Sequence, residues 1–98
     1  MSSYRLRPRA EADLEEIWDY TVENWSATQA EHYVSDIFAS INHLVTNPHL
    51  GRPVAGLRSD YRRYRIRHHL IFYVVDDGVV DVIRIVHEKR DIARRLDE

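Results

Sequence analysis

The 98-residue chain has room for one small domain, and its 44% hydrophobic and 31% charged residues describe a folded chain with a modest core. It contains no Cys, which excludes a disulfide scaffold, a Cys-ligated zinc site and a thiol nucleophile. The net charge of −2 is unevenly divided: residues 1–49 carry three Arg against eight acids, and residues 50–98 carry ten Arg and Lys89 against eight acids. This points to one acidic and one basic face, and the acidic total argues against general nucleic-acid binding. The longest apolar run, Leu70–Val75, is far below a membrane span, and the first residues lack the apolar region of a secretory signal. A single domain over residues 1–98, cytoplasmic and without membrane contact, is expected.

In chain order, residues 4–7 alternate as a short strand, with Tyr4 and Leu6 on one side, and Pro8 ends it where a helix's first turn tolerates Pro. From Ala10 to Asn24, Leu14, Ile17, Trp18, Thr21, Val22 and Trp25 keep helical spacing, with the acids as a solvated face. Ser26 with Gln29 three residues on reads as a capping box. It opens a second helix whose apolar set is Ala30, Tyr33, Val34, Ile37, Phe38, Ile41, Leu44 and Val45. Asn47-Pro48 stops that helix. So short a connection folds the two helices back as an antiparallel hairpin.

Residues 47–60 hold Pro48, Gly51, Pro53 and Gly56 and read as a loop. The period then changes to 2 over Tyr61–Arg67, followed by the strand run Leu70–Val75, an Asp77-Gly78 type I′ hairpin signal and a strand over Val79–His87. On that last strand Ile83 and Ile85 are placed on one face, and Val82, Arg84 and Val86 on the other. In the charged tail, Ile92 and Leu96 permit a last helical turn. The fold class is α+β in the order β-α-α-β-β-β, an antiparallel curved sheet on a helical hairpin. Its second face is left bare.

Arg63, Arg65 and Arg67, with Arg58 nearby, form a row of guanidinium forks on that face, suited to carboxylates or phosphates. Equally, they could be the solvated outer face of an edge strand. Six His offer no metal spacing, and adjacent His68 and His69 point to opposite faces, so no metal site is expected. His87, near Arg84 and Arg90, is the candidate general base, weighed against a strand-end His satisfied by backbone. Trp18 is expected in the core, and Trp25, at the inter-helix turn, as a partner anchor. No Gly-rich phosphate loop, Ser-His-Asp arrangement or paired carboxylate is visible, so no catalytic residue and no cofactor is assigned.

Several stretches taken together carry a resemblance. They are Tyr4-Arg5-Leu6, then Ala10, Asp13-Leu14, Ile17-Trp18 and Tyr20; Trp25, Gln29-Ala30 and Tyr33; Pro48 and Gly51; Tyr61-Arg62; His69 and Ile71-Phe72-Tyr73; and Ile83-Arg84-Ile85-Val86-His87 with Arg90-Asp91. In order and spacing the chain resembles the ParE toxins of the ParE/RelE superfamily. The resemblance implies a bacterial toxin of a type II toxin–antitoxin module, wrapped by a ParD-like antitoxin through which alone DNA is touched. It also implies DNA gyrase as a target that is bound rather than turned over. The partner-binding set is Trp25, Arg58, Arg63, Arg65, Arg67, Tyr73, Arg84, His87 and Arg90. The alternative is a RelE-like ribosome-dependent mRNA endoribonuclease using Arg65, Arg84 and Arg90 with His87; a third is a non-toxic relative in an autoregulatory complex. The chain has no Tyr after Tyr73, whereas RelE relatives often carry one near the C-terminus, and its net acidic charge is unlike a protein that docks on ribosomal RNA.

Overall fold

A computed structural model describes residues 3–56 and 60–90. The chain runs β1 (Ser3–Leu6), α1 (Pro8–Asn24), α2 (Ala27–Thr46), β2 (Arg52–Pro53), β3 (Arg62–Ile66), β4 (His69–Asp76) and β5 (Val79–His87). Its five strands are ordered β1-β5-β4-β3-β2. The α+β class and the helical hairpin are as the sequence indicates. Two details differ. A two-residue strand, β2, is added at the far edge, and β1 runs parallel to β5. The meander β3–β4–β5 travels back across the sheet and brings its last strand alongside the first, pointing the same way.

Local chemistry accounts for the element boundaries. Pro8 sits in the first turn of α1, where its missing N–H costs nothing. Ser26 caps α2 by accepting the Gln29 N–H at 3.0 Å. The return half of the capping box is not needed, because the Ser26 N–H already donates to the Thr21 carbonyl at 3.2 Å. Asp77 (φ 52°) and Gly78 (φ 78°) both adopt the left-handed conformation that a type I′ hairpin demands.

The helices and one sheet face enclose the main core of Leu14, Ile17, Ile37, Ile41, Leu44, Ile71, Tyr73, Val80, Val82 and Ile85. On β5 the sequence reading of the faces is overturned by a bulge. Phe72 lies opposite Arg84 and Tyr73 opposite Val82, which leaves Ile83 without a partner. Alternation is reset there, so Val80 and Val82 share the helix side with Ile85 rather than with Arg84 and Val86.

The acids of α1 are not all solvated. Asp13, only 5% exposed, lies among Ala10, Leu14 and Ile17 on the buried stripe. Its Oδ2 accepts Arg84 Nε and the Ile85 N–H, both at 2.8 Å, and its Oδ1 accepts Arg84 Nη2 at 2.9 Å. The β1–β5 register ends at Leu6↔Val82, with one further bond from the Arg7 N–H to the Val82 carbonyl. Beyond that point the carboxylate of α1 takes the place of a neighbouring strand for β5.

A second anchor fastens the loop before β2. The Tyr73 hydroxyl donates to the Pro48 carbonyl at 2.7 Å and accepts the Gly51 N–H at 2.9 Å. Arg62 Nη1 donates to the Gly51 carbonyl at 2.7 Å. A Cβ on Gly51 would stand 2.4 Å from the Tyr73 hydroxyl and 2.8 Å from the Arg63 carbonyl, so no side chain fits.

Replacing Asp13 by Ala strands the Arg84 charge and the Ile85 N–H, and is expected to lower the unfolding free energy by about 3–5 kcal/mol. Urea denaturation followed by circular dichroism measures it; a loss below ~1 kcal/mol would show the pair to be dispensable.

Candidate partner-binding site

The sheet face turned away from the helices is built from in-register rows. One row crosses four strands as Arg52, Arg63, Phe72 and Arg84, and the next runs Arg65, Leu70 and Val86. This face is not bare, as the sequence suggested. Leu70, Phe72 and Val86 form a second buried cluster with Val54 packed against it, and Phe72 is 0% exposed. What stays in water is a basic rim. Leu50, Arg52, Arg63, Tyr64, Arg65, Leu70 and Glu88 line a depression of about 530 Å³ there.

The predicted arginine row divides into three fates. Arg63 and Arg65 are exposed on β3, and Arg65 bonds Glu88 at 3.1 Å and the Arg67 carbonyl at 3.0 Å. Arg67 has left the row. It occupies the β3–β4 turn with φ 54°, where its guanidinium pairs with Asp36 on α2 and lies 5.7 Å over the Tyr33 ring. Arg58 lies outside the described residues, as do Ile92, Leu96 and the rest of the tail.

Two further members of the set are withdrawn from the surface. Arg84 is locked to Asp13 in the interior, and Tyr73 is fully buried with both hydroxyl bonds used by the Pro48–Gly51 loop. Neither can present its side chain to a partner while those bonds hold. Arg90 is exposed, and His87 is half-buried with its Nδ1 accepting the Lys89 N–H at 3.2 Å. That is the backbone-satisfied role rather than the free base.

α1 offers the apolar surface. Trp18 was expected in the core, yet it is 38% exposed; Val22, one turn further along α1, is 38% exposed, and Trp25, the cap residue just past the helix, is 72% exposed. The centre of the buried stripe passes through Ala10, Leu14 and Ile17, which turns Trp18 about 100° away from Ile17.

At the start of β4, where it pairs with the end of β5, three histidines converge. His69 stands edge-on to His87 with ring centroids 5.3 Å apart, and His68 stacks on His87 at 6.2 Å. The Tyr33 hydroxyl lies 2.6 Å from His69 Nδ1 and accepts the His68 N–H at 3.3 Å, and His68 Nδ1 is 3.1 Å from Glu88. Burial, reinforced by the charges of His87, His68 and Arg90, pushes His69 down to about 4. A neutral ring leaves Nδ1 free to accept the Tyr33 proton. Hydrogen bonds to His68 hold Glu88 below the usual carboxylate range, with Arg65 adding to the effect. No metal-binding group of His, Asp or Glu occurs among the described residues.

Comparison with known proteins places this geometry. The family model described as "ParE toxin of type II toxin-antitoxin system, parDE" matches residues 4–92. Toxin ParE1 of Mycobacterium tuberculosis (strain CDC 1551 / Oshkosh) is 40% identical over 96 residues, which cover 97% of this chain and 98% of that one. The chain belongs to the ParE toxin family. Toxin ParE1 of Caulobacter vibrioides is 38% identical over 97 residues, covering 98% and 99% of the two chains. The solved chromosomal ParDE system from P. aeruginosa superposes with a TM-score of 0.76 at 25% identity, over 89% of this chain and 95% of that one. The chain is therefore a type II toxin–antitoxin toxin with the ParE fold. The family stretches now have mechanical roles: Asp13 and Arg84 join α1 to β5, and Tyr73, Arg62 and Gly51 close the loop onto the sheet.

Sequence reasoning missed Asp13 and Arg52. Asp13 was legible, since it stands three residues after Ala10 and four before Ile17, on the buried stripe. Arg52 was not, because only the β2–β3 register places it opposite Arg63.

The unfolded chain takes a proton on His69 near 6.5, the folded chain only near about 4. Between those values the unfolded state binds more protons, so stability falls as the pH drops through that window. The expected loss is on the order of 1–2 kcal/mol once partial exposure is discounted. Urea midpoints at pH 7 and pH 4.5 measure it; the His69→Gln variant should lose less across the same interval, and an equal loss would assign the effect elsewhere.

Proposed function

We propose that this ParE-family toxin acts by binding and inhibiting DNA gyrase in the bacterial cytoplasm, without turning over a substrate, and that a ParD-like antitoxin neutralises it. The observation that carries binding over catalysis is the burial of Arg84. A nuclease built on Arg65, Arg84, Arg90 and His87 needs Arg84 at the scissile phosphate, yet its guanidinium is held by Asp13 inside the protein. His87 has its Nδ1 taken up by the Lys89 N–H.

The antitoxin reading is supported by the Trp18–Val22–Trp25 flank, an apolar stripe left in water on the free toxin. A partner helix with apolar residues at i, i+3 and i+4 fits such a stripe, and a fully covered Trp anchor supplies much of the energy of an interface. Acidic residues elsewhere on the partner complement the arginine rim. DNA is then reached only through the antitoxin. No described helix is long and apolar enough to cross a membrane, in keeping with a target among cytoplasmic proteins.

The deciding experiment adds the purified chain to gyrase in a supercoiling assay. Dose-dependent inhibition is expected, unchanged by His87→Ala. Unaffected supercoiling together with cleavage of translated mRNA would overturn the reading in favour of the nuclease; harmless expression of soluble, folded protein without any antitoxin would favour the non-toxic relative. Trp25→Ala should weaken a ParD-like antitoxin by about 2 kcal/mol or more in titration calorimetry, with little effect on melting temperature.

A further inference from the structure

Two arginines stand opposite one another across the β2–β3 ladder. Arg52 is the in-register partner of Arg63, both are exposed, and neither has an ion pair or hydrogen bond among the described residues. Like charges directly opposite one another on adjacent strands oppose pairing, and this pair lies in the shortest strand of the sheet. Other arginines of the sheet are committed, Arg5 to Asp76, Arg62 to the Gly51 carbonyl and Arg84 to Asp13, whereas Arg65 holds Glu88 only at the surface, where a second carboxylate can take its place. Nor can the pair relax by moving apart. The Tyr73 and Arg62 bonds to the Pro48–Gly51 loop set the path into β2, and Gly51 lies so close to the Arg63 carbonyl that no Cβ would fit.

We infer that Arg52 and Arg63 form a clamp for a carboxylate of an extended acidic peptide, and that Arg65, two residues along β3, takes a second. The inference rests on the reading that a partner chain neutralises the toxin, and it names the chemistry of the segment that lies on this face. Arg63 and Arg65 are separated by two residues of strand, about 7 Å, the spacing of alternate side chains on an extended peptide. Guanidinium forks pair with carboxylates in a bidentate manner. Leu50, 47% exposed, lines the same depression above the buried Leu70 and offers an apolar resting place for a neighbouring side chain.

One feature favours a peptide over a nucleic acid: the depression has an apolar part at Leu50, which rewards a segment that carries an apolar side chain among its acids. The recognised ligand is therefore an extended stretch of the pattern acid-x-acid-x-apolar.

The test titrates the full-length 15N-labelled chain with an acetylated Ser-Glu-Ser-Glu-Ser-Leu-Ser amide, its Gln counterpart and hexauridylate. The Glu peptide should shift the resonances of Arg52, Arg63, Arg65 and Leu70. Its Kd should rise about tenfold on Arg52→Gln or Arg63→Gln, and the Gln peptide should bind about tenfold more weakly. Equal binding of the two peptides, no binding of the Glu peptide, shifts confined to α1, or tighter binding of hexauridylate at the arginines would each overturn the clamp. Both substitutions relieve like-charge repulsion, and a melting curve for each variant verifies folding. Calorimetry with a ParD-like antitoxin separates the two levels. A Kd unchanged by the double variant R52Q/R63Q overturns the clamp and leaves neutralisation standing, whereas an antitoxin that fails to bind the native chain overturns the reading beneath it.

Discussion

One carboxylate holds the two halves of this toxin together. Asp13 reaches from the buried stripe of α1 to the side chain of Arg84 and the backbone N–H of Ile85, just where β1 stops accompanying β5. An unpaired strand edge inside a protein is costly, because its polar groups lose water and gain nothing. A side-chain carboxylate solves that problem and brings a buried cation with it. This contact adds a directional tie between α1 and β5 to the apolar packing of Ala10, Leu14 and Ile17 on the sheet.

The second constraint lies at the other edge. Tyr73 projects from the middle of β4, carries its hydroxyl through the core and bonds both Pro48 and Gly51. Together with Arg62 it draws the loop after α2 onto the sheet so tightly that only glycine fits at position 51. The result is a two-residue strand that cannot slide away from β3, and Arg52 is therefore held against Arg63. A buried anchor thus keeps Arg52 opposite Arg63 at the exposed edge of the sheet. The carboxylate of Asp81 shows the ordinary alternative at the opposite edge: burial pushes it up, but Arg7 and then Arg5 outweigh that and hold it below the usual carboxylate range.

These two anchors also explain why the toxin's basic residues cannot be treated as one patch. Arg84 stabilises the interior, Arg67 ties the β3–β4 turn to α2, Arg62 fixes a loop, and among the described arginines Arg52, Arg63 and Arg65 line the depression beside β3, together with Glu88. The histidine cluster beside Glu88 lies at the other end of β4 from its turn to β5, and its neutral, buried member works as a hydrogen-bond acceptor for Tyr33.

The amino-acid sequence by itself determined the helices, the cap at Ser26, the Asp77-Gly78 hairpin and the α+β order, because periodicity, capping and turn chemistry act over a few neighbouring residues. It also carried the family, through stretches spaced along the whole chain. Asp13 was within reach of the same periodic reasoning. The tertiary structure alone decided that Ile83 is a bulge, that Arg84 and Tyr73 face inward, that Trp18 faces water and that Arg52 meets Arg63. Each of these depends on which residues, far apart in the chain, are brought opposite one another. Strand register and helix placement set that, and a side chain's surroundings are fixed only when those long-range pairings have formed.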